Sequence, residues 1–465
     1  MKMGILRSSV IFAGSLIAVA VSADPIQSPI FLVQSTEPLV MINMSNDHEL
    51  YFKAYDDYSD IDGGGPDTTY KNSVDYYGYF DSTTCYSYTG GEFVPQSKST
   101  DKYCNGVTGD WSGNFLNWAT MTRMDTIRKT LYGGYRSTDT SSKTVLERSF
   151  LPTDAHSFAK YYEGADLSKL TPYSGSLSMC NTTQASSGNS KDVTESPLMR
   201  VATGNFSMWA SHEGVQCQWY EESTASNNND VGVTGIPAST VPPEEAATGS
   251  AEYIVRVEVC KTEALAEENC RLYPDGNRKP IGLLQEHGED GSVHFGLMTG
   301  SYAKNKSGGV LRKNVSSFAN EVNEDSDGTF VATPSGGGIV DTLNKLRLTN
   351  YSYTAPRGYN SLDSCDFAKF GFPDGECSNW GNPQSEIYLE SLRYFAGKSA
   401  DFDADDSGYI NNLGRANWTD PLSNSNFCAP VSIIHFNAST SSFDGDQVSG
   451  FGDLPASDSP SSSLS

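Results

Sequence analysis

Carboxylates carry most of the chemistry this chain could perform. Asp60-Ile-Asp62-Gly-Gly-Gly-Pro-Asp67 sets acids at alternate positions ahead of a glycine turn. That pattern wraps a hard cation such as calcium in oxygen, although Gly64 leaves the third ligand position empty. Asn323-Glu-Asp325-Ser-Asp327-Gly328 offers half of such a loop without a closing glutamate. Asp403-Ala-Asp405-Asp406-Ser407-Gly408 begins a third, which meets Gly414 where a bidentate acid belongs. Asp444 and Asp446 form a lone pair. In an acidic, glycine-rich chain a plain Asx turn is the simpler account of any one of these strings. Calcium is the cofactor expected if one binds, with Asp60, Asp62 and Asp67 the favoured ligands.

Other chemistries find less support. There is no GxSxG elbow, no HExxH and no phosphate loop with its lysine. Gly336-Gly-Gly338 reads as a helix entry turn rather than an anion cradle. The six histidines show no pairing by sequence, and His435, among strand residues, reads as a core histidine. The nine cysteines form no CxxC or Cys/His cluster, so disulfides are expected rather than zinc. Neighbours along the chain suggest Cys85–Cys104, Cys180–Cys217, Cys260–Cys270 and Cys365–Cys377, though spacing alone leaves connectivity open. Cys428 is left over and is expected to be buried beside the apolar run Val431 to Phe436.

The elements that position these residues alternate between strand and helix. Leu39-Val-Met-Ile42 reads as a buried strand, followed by the polar loop Asn43-Met44-Ser45-Asn46-Asp47. Leu116, Thr120, Met124, Ile127 and Leu131 form one stripe of a helix over 114–132, which Gly133-Gly134 stops. Phe115 and Trp118 lie off that stripe and need a second covering surface. Tyr253–Val259 and Val293–Met298 read as strands, and Pro280–Glu286 and Gly338–Arg347 as short helices. Asn382-Pro383 reads as N-cap and first turn of a helix ending at Gly397. Val431–Phe436 reads as a last buried strand, followed by Asn437-Ala438-Ser439. Such alternation argues for a mostly parallel α/β sheet covered on both faces. Ligands then bind at the carboxyl ends of strands, where both polar loops fall. Residues 51–110 read as loops and hairpins, and Glu222–Ser250 and Ser439–Ser465 as disordered.

Composition bounds the partners. Lys2 and Arg7, an apolar run from Val10 to Val21 and the small-x-small site at Ala23 have the anatomy of a cleaved secretory signal over residues 1–23. Without it the chain keeps 30 basic against 57 acidic side chains, a net charge of −27. That excess repels nucleic acid and anionic lipid. No later stretch is apolar enough to span a membrane, so a soluble exported protein is expected.

Several blocks resemble the PilY/PilC family of type IV pilus tip-associated adhesins. They are Tyr51-Phe-Lys-Ala-Tyr-Asp-Asp-Tyr58, Trp111 to Asp125 with Arg128 to Gly134, and Asp154 to Tyr162. Phe295 to Tyr302, Asn379 to Ile387 and Leu392 to Gly397 complete the set, which spans most of residues 35–445. The resemblance implies a von Willebrand factor A-like doubly wound sheet over 24–438. Loop-rich, disulfide-stapled insertions would occupy about 45–110 and 135–290. The family's carboxyl-terminal β-propeller has no repeats here; the sequence stops after a serine-rich tail or linker, 439–465, as either a fragment or a shortened member would.

Such an A-type domain holds a divalent ion through Asp-x-Ser-x-Ser after its first strand and a later Asp. Here Asn43, Ser45 and Asp47 occupy the first set and Asn437 the later position. Lost carboxylates make this a degenerate ion-site loop. The resemblance implies a secreted protein, in the periplasm, on the outer surface or at the pilus tip, without catalytic residues. It would serve pilus biogenesis, twitching motility and adhesion by binding pilins or minor pilins and a host or abiotic surface. Tyr70 to Tyr88 is a contact surface to test against ordinary packing. The alternatives are a secreted calcium-dependent carbohydrate-binding module and a secreted acid-dependent hydrolase.

Overall fold

The computed structural model describes residues 36–57, 63–64, 68–104, 110–183, 195–211, 216–219, 241–242, 251–267, 269–332, 334, 337–351, 363, 365, 371–437, 439–445 and 447–448. The expected secretory signal over 1–23, most of 222–250 and residues 449–465 lie outside them.

Leu39–Met44 is buried at every position, as a strand covered on both faces must be. It is central in a four-stranded sheet ordered Val310–Ser317, His294–Thr299, Leu39–Met44, Val431–Phe436. Leu39 registers with His294 on one side and Val431 on the other, both parallel. Val310–Ser317 adds antiparallel at one edge. Alternation along Leu39–Met44 sends Val40, Ile42 and Met44 into one core and Met41 into another, with Met298, Leu311 and Ile387. Helices supply both covers: Ile339–Lys345 on the first face, Gln384–Phe395 on the second.

A second, aromatic core lies under a six-stranded and a four-stranded sheet. The first includes the hairpin Thr84–Thr89 with Glu92–Lys98; the second is the antiparallel run Phe158–Tyr162, Leu177–Thr183, Pro197–Thr203 and Ala251–Ile254. The expected 114–132 helix is two helices, α1 (Gly113–Thr120) and α2 (Arg123–Tyr132). Thr122 and Asp125 form a capping box that starts α2 afresh, so the pair satisfies backbone groups a continuous helix would have used. Every residue of α1 is buried, and Phe115 and Trp118 find their second surface in the aromatic core. Gly133 ends α2 with φ +86°, a left-handed cap.

The strand expected over 253–259 is also split, into Ala251–Ile254 and Arg256–Val259, which join different sheets. All four expected disulfides form: Cys85–Cys104, Cys180–Cys217, Cys260–Cys270 and Cys365–Cys377.

Three expectations of burial fail. Val431–Phe436 is a strand, but it sits at the sheet edge with four of its six residues exposed. Cys428 is exposed, because the run it was expected to pack against faces solvent. His435 is exposed for the same reason. Conversely, Tyr70, Tyr76, Tyr79 and Tyr86 are buried in the aromatic core, so the tyrosine segment is packing; Tyr77 is its exposed exception, at 45 %. No helix among the described residues is long and apolar enough to cross a membrane.

Candidate polar site at the carboxyl ends of the parallel strands

The loops leaving Leu39–Met44 and Val431–Phe436 meet where the sequence placed them, beside the start of helix Gln384–Phe395. Asn43, the leading residue of the degenerate loop, is turned into that helix. Its side-chain oxygen accepts from Ser391 Oγ at 2.7 Å, and its amide faces Ile387 O at 3.5 Å. Ser45 Oγ accepts from Asp47 N at 3.0 Å. Asp47 caps the turn His48–Tyr51 by accepting from Glu49 N at 2.9 Å, and its second oxygen faces Gly381 N at 3.4 Å. Gly381 has φ +143°, and a Cβ there would lie 2.0 Å from Asn305 O. Burial raises the Asp47 carboxyl to about 6.

Asn382 organises the second half. Its Nδ2 donates to Asn437 Oδ1 at 2.7 Å, Ser439 Oγ at 3.0 Å and Ser439 O at 3.1 Å. Ser439 in turn touches the Asp47 carboxylate. The structure thus draws Ser45, Asp47 and Asn437 into one polar network while Asn43 belongs to the helix contact behind it. An N–H donor sits among the oxygens that a cation would gather. Amides stand at two carboxylate positions, and both Asp47 oxygens already face backbone N–H groups. This donor set does not fit a hard divalent ion.

The sequence predicts Asn382 as the helix cap. Pro383 stands at the cap position instead, and the Asn382 side chain is free to bridge the loops. The start of the expected disordered tail is likewise docked. Ser442 bridges Asn382, and Asp444 accepts from Ser385 N at the helix start. A buried relay was missed as well. His156 Nδ1 lies 2.7 Å from Asp154 Oδ1, and His156 Nε2 lies 2.9 Å from His48 Nδ1. Burial, then the neighbouring His156, lowers the His48 imidazole to about 3, so it stays neutral. The Asp154-x-His156 spacing was the available signal; the His48 partner, 108 residues away, had none.

The acidic strings resolve differently. Asp60, Asp62 and Asp67 lie outside the described residues. Asp327 accepts from Thr329 N and Oγ1, an Asx turn. Asp405 accepts from Ser407 N in the same way. Asp406 is fully buried against Arg312 and accepts from Ser301 Oγ, Tyr302 N and Ala303 N. The helix entry at Gly338 is occupied by Glu321, whose two oxygens take Ile339 N and Val340 N. Among the described residues, Asp47, His48 and Glu49 bring three ligand-type atoms within 4.8 Å of one another; Asp47 is engaged as above and Glu49 pairs with Arg123 at 3.3 Å.

Comparison with known proteins follows the same two regions. Residues 67–202 match the family described as PilY1 homolog, small alpha/beta domain, and residues 295–465 match PilY1 homolog, second domain. A protein of Xylella fastidiosa named type IV pilus biogenesis factor PilY1 homolog is 37 % identical over 384 residues, covering 77 % of this chain and 24 % of its own length. A second protein of that name and organism is 28 % identical over 355 residues, covering 70 % of this chain and 26 % of its own. The chain therefore spans about a quarter of the length of these relatives. No solved structure matches.

Proposed function

Because the chain belongs to the PilY1-homologue family, we propose that it serves type IV pilus biogenesis by non-covalent binding, at the pilus tip and toward a surface. The 37 % identity to a named pilus biogenesis factor carries this reading. Pilins or minor pilins are its proposed partners. The central parallel sheet, with Leu39–Met44 in the middle and one antiparallel edge, supports a von Willebrand factor A-like scaffold. The four disulfides fit an oxidising location outside the cytoplasm, which agrees with an exported protein. At the polar site the described side chains hold one another by hydrogen bonds, which supports recognition rather than catalysis.

Deleting the gene in its source bacterium tests the proposal. Loss of surface pili and twitching, restored by the wild-type chain, is the expected result; unchanged piliation would refute it. A second reading rests on a cleft of about 760 Å³ lined by Tyr77, Asp81, Lys98, Lys129, Arg271 and Glu286. An exposed aromatic among paired charges suits a carbohydrate. Glycan binding lost on Tyr77→Ala, in cells that pilate normally, would favour it.

A further inference from the structure

Two imidazoles face each other where the loop leaving Leu39–Met44 meets the sheet that carries Phe158–Tyr162. His48 opens the turn His48–Tyr51, and His156 stands just before Phe158. His48 Nδ1 and His156 Nε2 are 2.9 Å apart. Asp154 Oδ1 accepts from His156 N at 2.9 Å and from His156 Nδ1 at 2.7 Å. That carboxylate fixes the tautomer: the proton sits on Nδ1, and the Nε2 lone pair is directed at His48. Asp154 is only 3 % exposed, and its Oδ2 has no hydrogen-bond partner among the described residues. A buried carboxylate left with an idle oxygen favours a cation nearby. Packing holds both rings. Phe52 and Trp380 flank His48 at centroid distances of 5.3 and 5.7 Å, and Tyr351 meets His156 at 5.9 Å. His156 also lines a cleft of about 390 Å³ with Phe52, Arg123, Ser157 and Met208, which gives the pair a path to solvent.

We propose that His48 and His156 bind one zinc ion, with Glu49 as a carboxylate ligand and a water from the cleft in the fourth position. A carboxylate behind a ligating histidine, as Asp154 stands behind His156, orients the ring and makes it a better donor. Two histidines on a tetrahedral zinc keep their nitrogens about 3.3 Å apart, so these rings need to part by only about 0.4 Å. A Glu49 oxygen lies within 4.8 Å of a His48 ring nitrogen. Its pair with Arg123, at 3.3 Å and partly exposed, is weak enough to exchange for a metal. Imidazole donors select zinc over calcium, which takes oxygen. The ion would tie the loop after the central strand to the sheet beside it, and it needs none of Asn43, Ser45, Asp47 or Asn437. Zinc binding and piliation are read in separate experiments, so either can fail alone.

Calorimetric titration of the chelator-treated full chain with zinc tests it. One zinc per chain should bind and raise the melting temperature, and calcium in ~1,000-fold excess should not displace it. Asp154→Asn should weaken zinc by ~10–100-fold with the stoichiometry kept, and His48→Ala and His156→Ala should each weaken it further. Cobalt in place of zinc should show the visible bands of a four-coordinate site and no thiolate charge-transfer band, which sets the site apart from Cys428. Glu49→Gln changes a partly exposed side chain. It should weaken zinc without altering the melting temperature of the metal-free protein, so the cobalt spectrum, Asp154→Asn and Glu49→Gln decide the matter even if a histidine variant does not fold. Absence of stoichiometric zinc, an affinity unchanged in the histidine variants, or equal filling by calcium would each overturn the proposal.

Discussion

Asp406 illustrates how misleading a carboxylate can be when read only by its neighbours in sequence. Its string resembles a calcium loop, yet the side chain is fully buried against Arg312 and ties the 301–303 turn. Removing one partner of a buried pair strands the other, at about 3–5 kcal/mol. Asp406→Ala should therefore lower the unfolding free energy by that order in a urea titration. Arg415→Ala, which breaks the exposed pair with Asp403, should cost under ~1 kcal/mol. Two other acids set a pH dependence. Burial raises Asp47 to about 6 and Glu390 from 4.5 to about 7. Each holds its proton more tightly folded than unfolded. Their contribution is thus fully present below the unfolded values near 4 and is lost as pH rises through 6 to 7. Glu390→Gln should flatten that decline by more than ~1 kcal/mol between pH 4.5 and 7, read from denaturation midpoints; an unchanged slope would remove Glu390 from the account.

At the scale of elements, caps decided what periodicity left open. The stripe from Leu116 to Leu131 continues smoothly through Thr122, so it predicts one helix. The Thr122-x-x-Asp125 box was visible in the same residues and marks a second beginning. Thr122→Ala should cost about 1 kcal/mol, measurable as a lower melting temperature with unchanged helix content in the far ultraviolet. Asp125 also accepts from Ser149 N and Oγ, so Asp125→Ala should cost more than Thr122→Ala. The split of 251–259 at Val255 had no comparable signal, because alternation is indifferent to which sheet each half joins.

For the molecule as a whole, the four disulfides fit an oxidising compartment. Alkylation of the native protein should modify Cys428 alone, the exposed thiol outside the four disulfides. Reaction at a second cysteine before denaturation would contradict the pairing. The calcium proposal rests on Asp60, Asp62 and Asp67 and is tested by calorimetry. Asp60→Asn should lose a site that the wild type fills; equal affinity and stoichiometry in both would dismiss that loop.

Residue order suggested the disulfide partners, as neighbours along the chain, and left their connectivity to the structure; by itself it determined the central buried strand, whose unbroken apolar run suits only two covered faces. It also placed the polar loops together, because parallel strands end on one side of their sheet. Tertiary structure alone decided that Val431–Phe436 is an edge, that the tyrosines are core and that Asn382 joins the two loops. Burial and long-range hydrogen bonds depend on what the rest of the chain brings alongside, and a strand of identical composition can lie in the middle of a sheet or at its rim.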